Sequence, residues 1–215
     1  MVPGKLAEQI GELSVHEASA LAQQMLAERI DPFMICDEVM EGLRIVGDKY
    51  NNGKCFIADL IVSGMLAQEI FSLINDTVSS ISCEKIMGKV VIGTIYEDIH
   101  DIGKNLFCDR LRCNGVDVID LGVDVPVGEF IAAVESHKPD ILAVSTVMDN
   151  SFTHIKDLIM GLGKAGISGN IKIVVGGAAA DARFVQMEGV HCLTNDCRQG
   201  IDFCLRILKE KKKSA

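Results

Sequence analysis

Up to about Ser82, apolar positions recur with a helical period; beyond it they gather into short runs separated by turns. Ser14 with Glu17 forms a capping box ahead of Ala18, Leu21, Ala22, Met25 and Leu26. Asp31-Pro32 opens the next helix, whose apolar face is Ile35, Val39, Met40, Leu43 and Val46. Asn51-Asn52-Gly53 marks a turn. A third long helix follows with Ile57, Leu60, Ile61, Gly64, Met65 and Ile70 inward. Leu6 to Gly11 adds a short helix, and the four predict a helical bundle.

The second pattern alternates strand and helix. Strands are expected at Val90–Tyr96, Val116–Asp120, Ile141–Ser145, Ile171–Val175 and Val190–Leu193. Helices are expected at Ile102–Cys113, Val127–Ser136, Ser151–Ala165, Ala180–Met187 and Arg198–Lys211. Continuous apolar strands joined by helices predict a parallel sheet covered on both faces. The fold class is therefore α/β: a helical bundle, then a flavodoxin-like (Rossmann-like) five-stranded parallel sheet in the order 2-1-3-4-5. The expected divisions are a helical domain over 1–82, a linker able to hinge over 83–88, and a sheet domain over 89–215. In that order a ligand crevice lies beyond the ends of strands one and three.

Composition narrows the function classes. A net charge of −9 argues against a nucleic-acid partner, whose phosphates require Lys and Arg. The basic run Lys209–Lys213 reads as a solvated helix end. No Trp and only 2 Tyr leave no stacking platform for bases. The first residues carry Glu8 and Glu12 without an apolar core, so no signal peptide is expected. No run was expected to reach membrane-span length, and no membrane partner is expected. The 8 cysteines contain no CxxC and read as reduced thiols in the cytoplasm.

The loop from Glu97 to Gly103 carries Asp98, His100 and Gly103 as D-x-H-x-x-G. An imidazole can give one ring nitrogen to a metal and its other N–H to a carboxylate, which fixes the tautomer. An ordinary loop histidine beside an acid is the competing reading of that pair. Gly103 and Gly176-Gly177 permit close approach of a bulky ligand, and Ser145 and Ser151 offer hydroxyls. Hydrolytic and nicotinamide chemistry find no support, because H-E-x-x-H, G-x-S-x-G and G-x-G-x-x-G at the strand end are all missing. A phosphorylated receiver domain would need an aspartate where Ser145 stands.

Together these residues resemble the methyltransferase-associated corrinoid proteins, similar to the cobalamin-binding module of methionine synthase. The resemblance rests on Asp98-Ile99-His100-Asp101-Ile102-Gly103 with Lys104-Asn105, on Val118–Pro126, on Ser145-Thr146-Val147 and on Gly176-Gly177-Ala178. Residues 32–75 resemble the family's helical cap. It implies cobalamin or a related corrinoid as cofactor, methylcobalamin in turnover, and His100 as the lower axial cobalt ligand. It further implies Asp98 accepting from His100, Ser151 hydrogen-bonded to Asp98, and Phe56 over the upper corrin face. Gly103, Ser145, Val147, Gly176 and Gly177 would line a slot for the nucleotide tail.

The function implied is a methyl carrier between a substrate:corrinoid methyltransferase and a methylcorrinoid:acceptor methyltransferase using tetrahydrofolate or a thiol. A reductive activator is a further expected partner. The carrier is not a complete enzyme by itself. A cobalamin-binding sensor is the alternative; a mutase small subunit would not carry the helical cap. The chain departs from the family pattern at Glu97, where a glycine is usual, at Val147, where leucine is usual, and near Thr194-Asn195-Asp196.

Overall fold

The computed structural model describes residues 4–79, 87–178, 180 and 188–214. Contacts divide the chain into two units, Met1–Ser80 and Ile81–Ala215. Of the expected helix at Ala180–Met187, all but Ala180 lies outside the described residues, as does most of the expected linker; Gly88 already belongs to the first strand.

The first unit holds α1 (Lys5–Gly11), α2 (Val15–Ala27), α3 (Pro32–Asn51) and α4 (Ile57–Ser79). A seven-residue helix is too short to persist alone. Side chains of α3 secure both ends of α1. Glu38 accepts from the N–H groups of Gly4 (3.0 Å) and Leu6 (2.9 Å), and Lys49 donates to the Gly11 carbonyl (2.8 Å). Between them the helices approach closely: a Cβ on Gly42 would lie 2.6 Å from the Ile10 Cβ.

The helical faces differ from the expected ones in places. Asp31 caps α3 through the Phe33 N–H (3.0 Å), with Pro32 at the first helical position. Ser14 precedes α2 without a side-chain cap bond, so no capping box forms. On α3 the buried stripe is Ile35, Val39, Gly42 and Val46, leaving Met40 exposed. In α4 the expected inward positions Ile57, Ile61 and Met65 are exposed, while Ser63, Leu66, Ala67, Ile70, Phe71 and Ile74 are buried. Apolar residues surround much of this helix, so periodicity could not choose between its sides. For the same reason Ile57–Ile74 is, by length and composition, apolar enough to cross a membrane, against the expectation of no such run; a third of it is buried within the protein.

The second unit contains β1 (Gly88–Thr94), α5 (Ile102–Cys113), β2 (Val116–Asp120), α6 (Val127–His137), β3 (Ile141–Ser145) and α7 (Ser151–Lys164). A 3-10 turn at Ser168–Asn170 precedes β4 (Lys172–Gly176), β5 (Cys192–Thr194) and α8 (Cys197–Ser214). All strand pairs are parallel, in the order β2-β1-β3-β4-β5. Phe130 of α6 and Ile155, Leu158 and Leu162 of α7 join Val91, Leu142 and Ile173 in one core. On the alternate strand positions Val90 and Ile92 are also buried, as are Cys108 and Leu111 of α5 and Cys204 and Leu208 of α8. A Cβ on Gly93 would lie 2.9 Å from the Phe130 ring, which explains a glycine in mid-strand.

Register fixes what meets at the carboxyl edge. Thr94 pairs with Ser145, Ser145 with Gly176, and Gly176 with Thr194. The loops leaving this row carry the D-x-H-x-x-G, S-x-V and GG residues.

Candidate cobalt ligand and corrinoid site

Beyond β1 the chain makes one bridge, Ile95 with Val125, then turns. Glu97 adopts φ +64°, a left-handed conformation that costs a residue with a Cβ. A glycine at this position would not carry that cost. The Glu97 N–H donates to Asp124 Oδ1 (2.7 Å), and its carboxylate reaches Asn150 Nδ2 and His154 Nε2, each at 3.3 Å. The His154 ring stands edge-on to Tyr96, centroids 5.3 Å apart.

The next residue, Asp98, is fully buried. Its Oδ1 accepts from the His100 N–H (3.0 Å) and from the His100 ring at Nδ1 (2.7 Å). Its Oδ2 accepts from the N–H groups of Val147 (2.6 Å) and Met148 (3.2 Å) in the β3–α7 loop. Burial alone would raise the Asp98 carboxyl. The backbone donors Val147 and His100, the His100 ring and Met148 outweigh it, and the carboxyl is held below its ordinary value. A carboxylate offers no proton, so Nδ1 carries a ring hydrogen, and in the neutral imidazole Nε2 keeps its lone pair. The imidazole is half-exposed. That is the donor arrangement of a single metal-ligating histidine with a carboxylate behind it.

The other expected residues of the sheet unit lie on the loops and element ends that follow β1, β3 and β4. Ile99 is 73% exposed, while Asp101 and Ile102 are half-buried, Asp101 standing at the N-cap of α5. Gly103 lies in the first turn of α5, and a Cβ there would meet nothing within 4 Å. Ser145 ends β3, its carbonyl accepting from the Ile95 N–H (3.1 Å). Gly177 has φ +118°, and a Cβ would lie 2.1 Å from the Thr146 carbonyl oxygen. Gly176 is half-buried and Ala178 exposed. Phe56 belongs to the helical unit, just ahead of α4, and is 80% exposed.

Ser151 departs from expectation. It is the first residue of α7, with Asn150 at the N-cap. Its buried hydroxyl has no hydrogen-bond partner, and each Asp98 oxygen accepts from two other donors. Thr94, Asp124 and the Met148 N–H take part in the loop but were not expected. Thr94 read as strand, and main-chain donors leave no mark in sequence.

These residues fit a corrinoid. One histidine nitrogen is free to ligate, a buried hydroxyl is unpartnered, and Gly103 leaves open space beside the loop. Tyr96, Ile99, Val123, Val147 and Met148 expose an apolar rim of the kind a large ring system covers. No group of three or more His, Cys, Asp or Glu among the described residues could hold a metal ion. Burial pushes the Cys108 and Cys204 thiols up to about 12.

Comparison with known proteins agrees. Residues 88–194 match one B12 binding domain family and residues 4–75 a second B12 binding domain family. Trimethylamine corrinoid protein 2 of Methanosarcina acetivorans is 31% identical over 176 residues, 81% of each chain. Dimethylamine corrinoid protein 1 of that organism is 26% identical over 86% of this chain and 87% of its own. The solved monomethylamine corrinoid protein of Methanosarcina barkeri superposes with a TM-score of 0.83 at 25% identity, covering 94% of this chain and 96% of that one. A chain of the methanol:cobalamin methyltransferase complex from the same organism gives 0.54 at 28% identity, covering 95% and 78%. The chain therefore belongs to the methyltransferase-associated corrinoid proteins, with a helical cap and a Rossmann-like B12-binding domain.

Proposed function

We propose that the protein takes a methyl group from a substrate:corrinoid methyltransferase and delivers it to a methylcorrinoid:acceptor methyltransferase, whose acceptor is a tetrahydrofolate or a thiol. The observation that carries this reading is His100, its ring fixed by buried Asp98 through Nδ1 with Nε2 free. When bound, the corrinoid supplies a cobalt that accepts and gives up the methyl group. In this reading His100 is the lower axial ligand. Asp98 holds the ligating tautomer, orients the ring and raises the basicity of Nε2.

The Ser151 hydroxyl follows Met148, whose N–H already holds Asp98, and is the spare donor of the relay. It can replace a bond to Asp98 when proton demand on that carboxylate changes. Ile99, Asp101, Ile102 and Gly103 border the ligand, and Ser145, Val147, Gly176, Gly177 and Ala178 line the slot for the nucleotide tail. Phe56 is an apolar contact of the cofactor. The chain's part is to bind, orient and present the cofactor; catalysis on donor and acceptor belongs to its partners, and a reductive activator is a further partner in this reading. The compartment in this reading is the cytoplasm, where the thiols stay reduced.

Support for the donor-side partner comes from the relatives' names, which pair such proteins with methylated amines and with a methanol:cobalamin methyltransferase complex. The test is reconstitution with hydroxocobalamin and reduction to the cobalt(II) state. Electron paramagnetic resonance of the native protein is expected to show nitrogen superhyperfine splitting that His100→Ala removes. An unchanged pattern in His100→Ala would overturn the assignment.

A further inference from the structure

Asp98 is tied to the loop after β3 by Val147 and Met148, but His100 is tied to Asp98 only through bonds within the same turn. A bond from outside the motif reaches His100 directly. Thr94, the last residue of β1, is fully buried, and its Oγ1 donates to the His100 carbonyl at 2.9 Å. The main chain of Thr94 is fully used elsewhere. Its N–H donates to the Gly122 carbonyl (2.9 Å), and its carbonyl accepts from the Val125 N–H (3.0 Å). The side chain alone therefore joins the rigid end of β1 to the ligand residue.

We propose that Thr94 is a positioning residue for cobalt ligation: its hydroxyl sets the place of His100 at the sheet edge. The inference rests on the reading of His100 as lower ligand. His100 is thereby held at three points, its N–H and ring on Asp98 and its carbonyl on Thr94. Ligand geometry tolerates displacements of only about 0.5 Å, so an anchor outside the turn affects ligation without touching the cofactor. Valine at 94 keeps the β-branched shape and strand preference but removes the donor. Serine keeps the donor and removes the methyl.

The test uses full-length protein loaded with cobalamin: native, Thr94→Val, Thr94→Ser and His100→Ala. Histidine ligation is followed by nitrogen splitting in the cobalt(II) form and by absorbance during acid titration. Loss of one hydrogen bond predicts about a five-fold weaker ligation equilibrium in Thr94→Val, moving the midpoint of ligation loss upward by about 0.7 pH unit. Thr94→Ser is expected to stay within about two-fold of native. A native midpoint in Thr94→Val, or equal impairment in Thr94→Ser, overturns the proposal. Should Thr94→Val not fold, Thr94→Ser is compared with Thr94→Ala. A gap of about five-fold supports the anchor and equality overturns it. Native protein without nitrogen splitting would sink the ligand reading, and this inference with it; splitting that Thr94 variants leave unmoved sinks this inference alone.

Discussion

One oxygen of Asp98 accepts both the main-chain N–H and the ring Nδ1–H of His100, at 3.0 and 2.7 Å. The other oxygen reaches across to Val147 and Met148. A single buried carboxylate thus orients the ligand histidine and joins the loops after β1 and β3.

Removing that carboxylate should cost stability even before cofactor is added. Asp98→Ala leaves four donors without their acceptor, and a loss of about 3 kcal/mol or more is expected. Asp98→Asn keeps one acceptor oxygen and should lose less. Urea unfolding of the cofactor-free proteins measures both, and a native midpoint for Asp98→Ala would contradict the hydrogen-bond account.

The same group gives an acid dependence. Its carboxyl is held down in the folded protein, so its contribution is full above the unfolded value of about 3.9. As pH falls below that value the unfolded chain takes up the proton first, and stability drops until the folded carboxyl is protonated as well. The stability gap between native protein and Asp98→Asn should be constant from neutral pH to about 5 and shrink below about 4. A gap that widens toward acid would show the sign to be reversed.

Two glycines should part company. Gly177→Ala must force a Cβ against the Thr146 carbonyl at a positive φ, and a loss of about 3 kcal/mol or more is expected by thermal unfolding. Gly103→Ala meets no protein atom and sits in a helix, so cofactor-free stability should hold within about 0.5 kcal/mol or improve. Cobalamin uptake by Gly103→Ala should nonetheless fall, by about ten-fold or more, as the methyl enters space the ring needs. Equal uptake would remove Gly103 from the site.

Glu97 separates backbone from side chain. Glu97→Gly relieves a left-handed residue, worth about 1 kcal/mol, and loses exposed contacts to Asn150 and His154 worth about 0.5 kcal/mol. Glu97→Ala keeps the strain and loses the contacts. The glycine variant should therefore be the more stable of the two by about 1 kcal/mol in denaturant unfolding, and the reverse order would disprove the strain.

Much of this was legible in the chain because its physical cause is local. Apolar runs of strand length gave the sheet, and turn residues such as Asn114-Gly115 separated α5 from β2. The D-x-H spacing placed a carboxylate two residues from an imidazole, which the turn brings to 2.7 Å. Part of the inward side of α4 was misread because Ile57, Ile61 and Met65 compete with Leu66, Ala67 and Ile74, and only packing chooses between them; Ile70 is buried as expected. The pairing of Ser151 with Asp98 came from the family resemblance. Val147 and Met148 fill that place with main-chain N–H groups, which every non-proline residue possesses and which no pattern of side chains reveals.

The bond from Val147 to Asp98 spans 49 residues, because β2 is made between β1 and β3 although it lies outside them in the sheet. During synthesis the histidine motif emerges well before the loop that immobilises it. A nascent chain that has reached only β2 carries all of D-x-H-x-x-G and lacks the main-chain donors that aim it. Orientation of His100 through a fully bonded Asp98 therefore has to wait until the β3–α7 loop has been made.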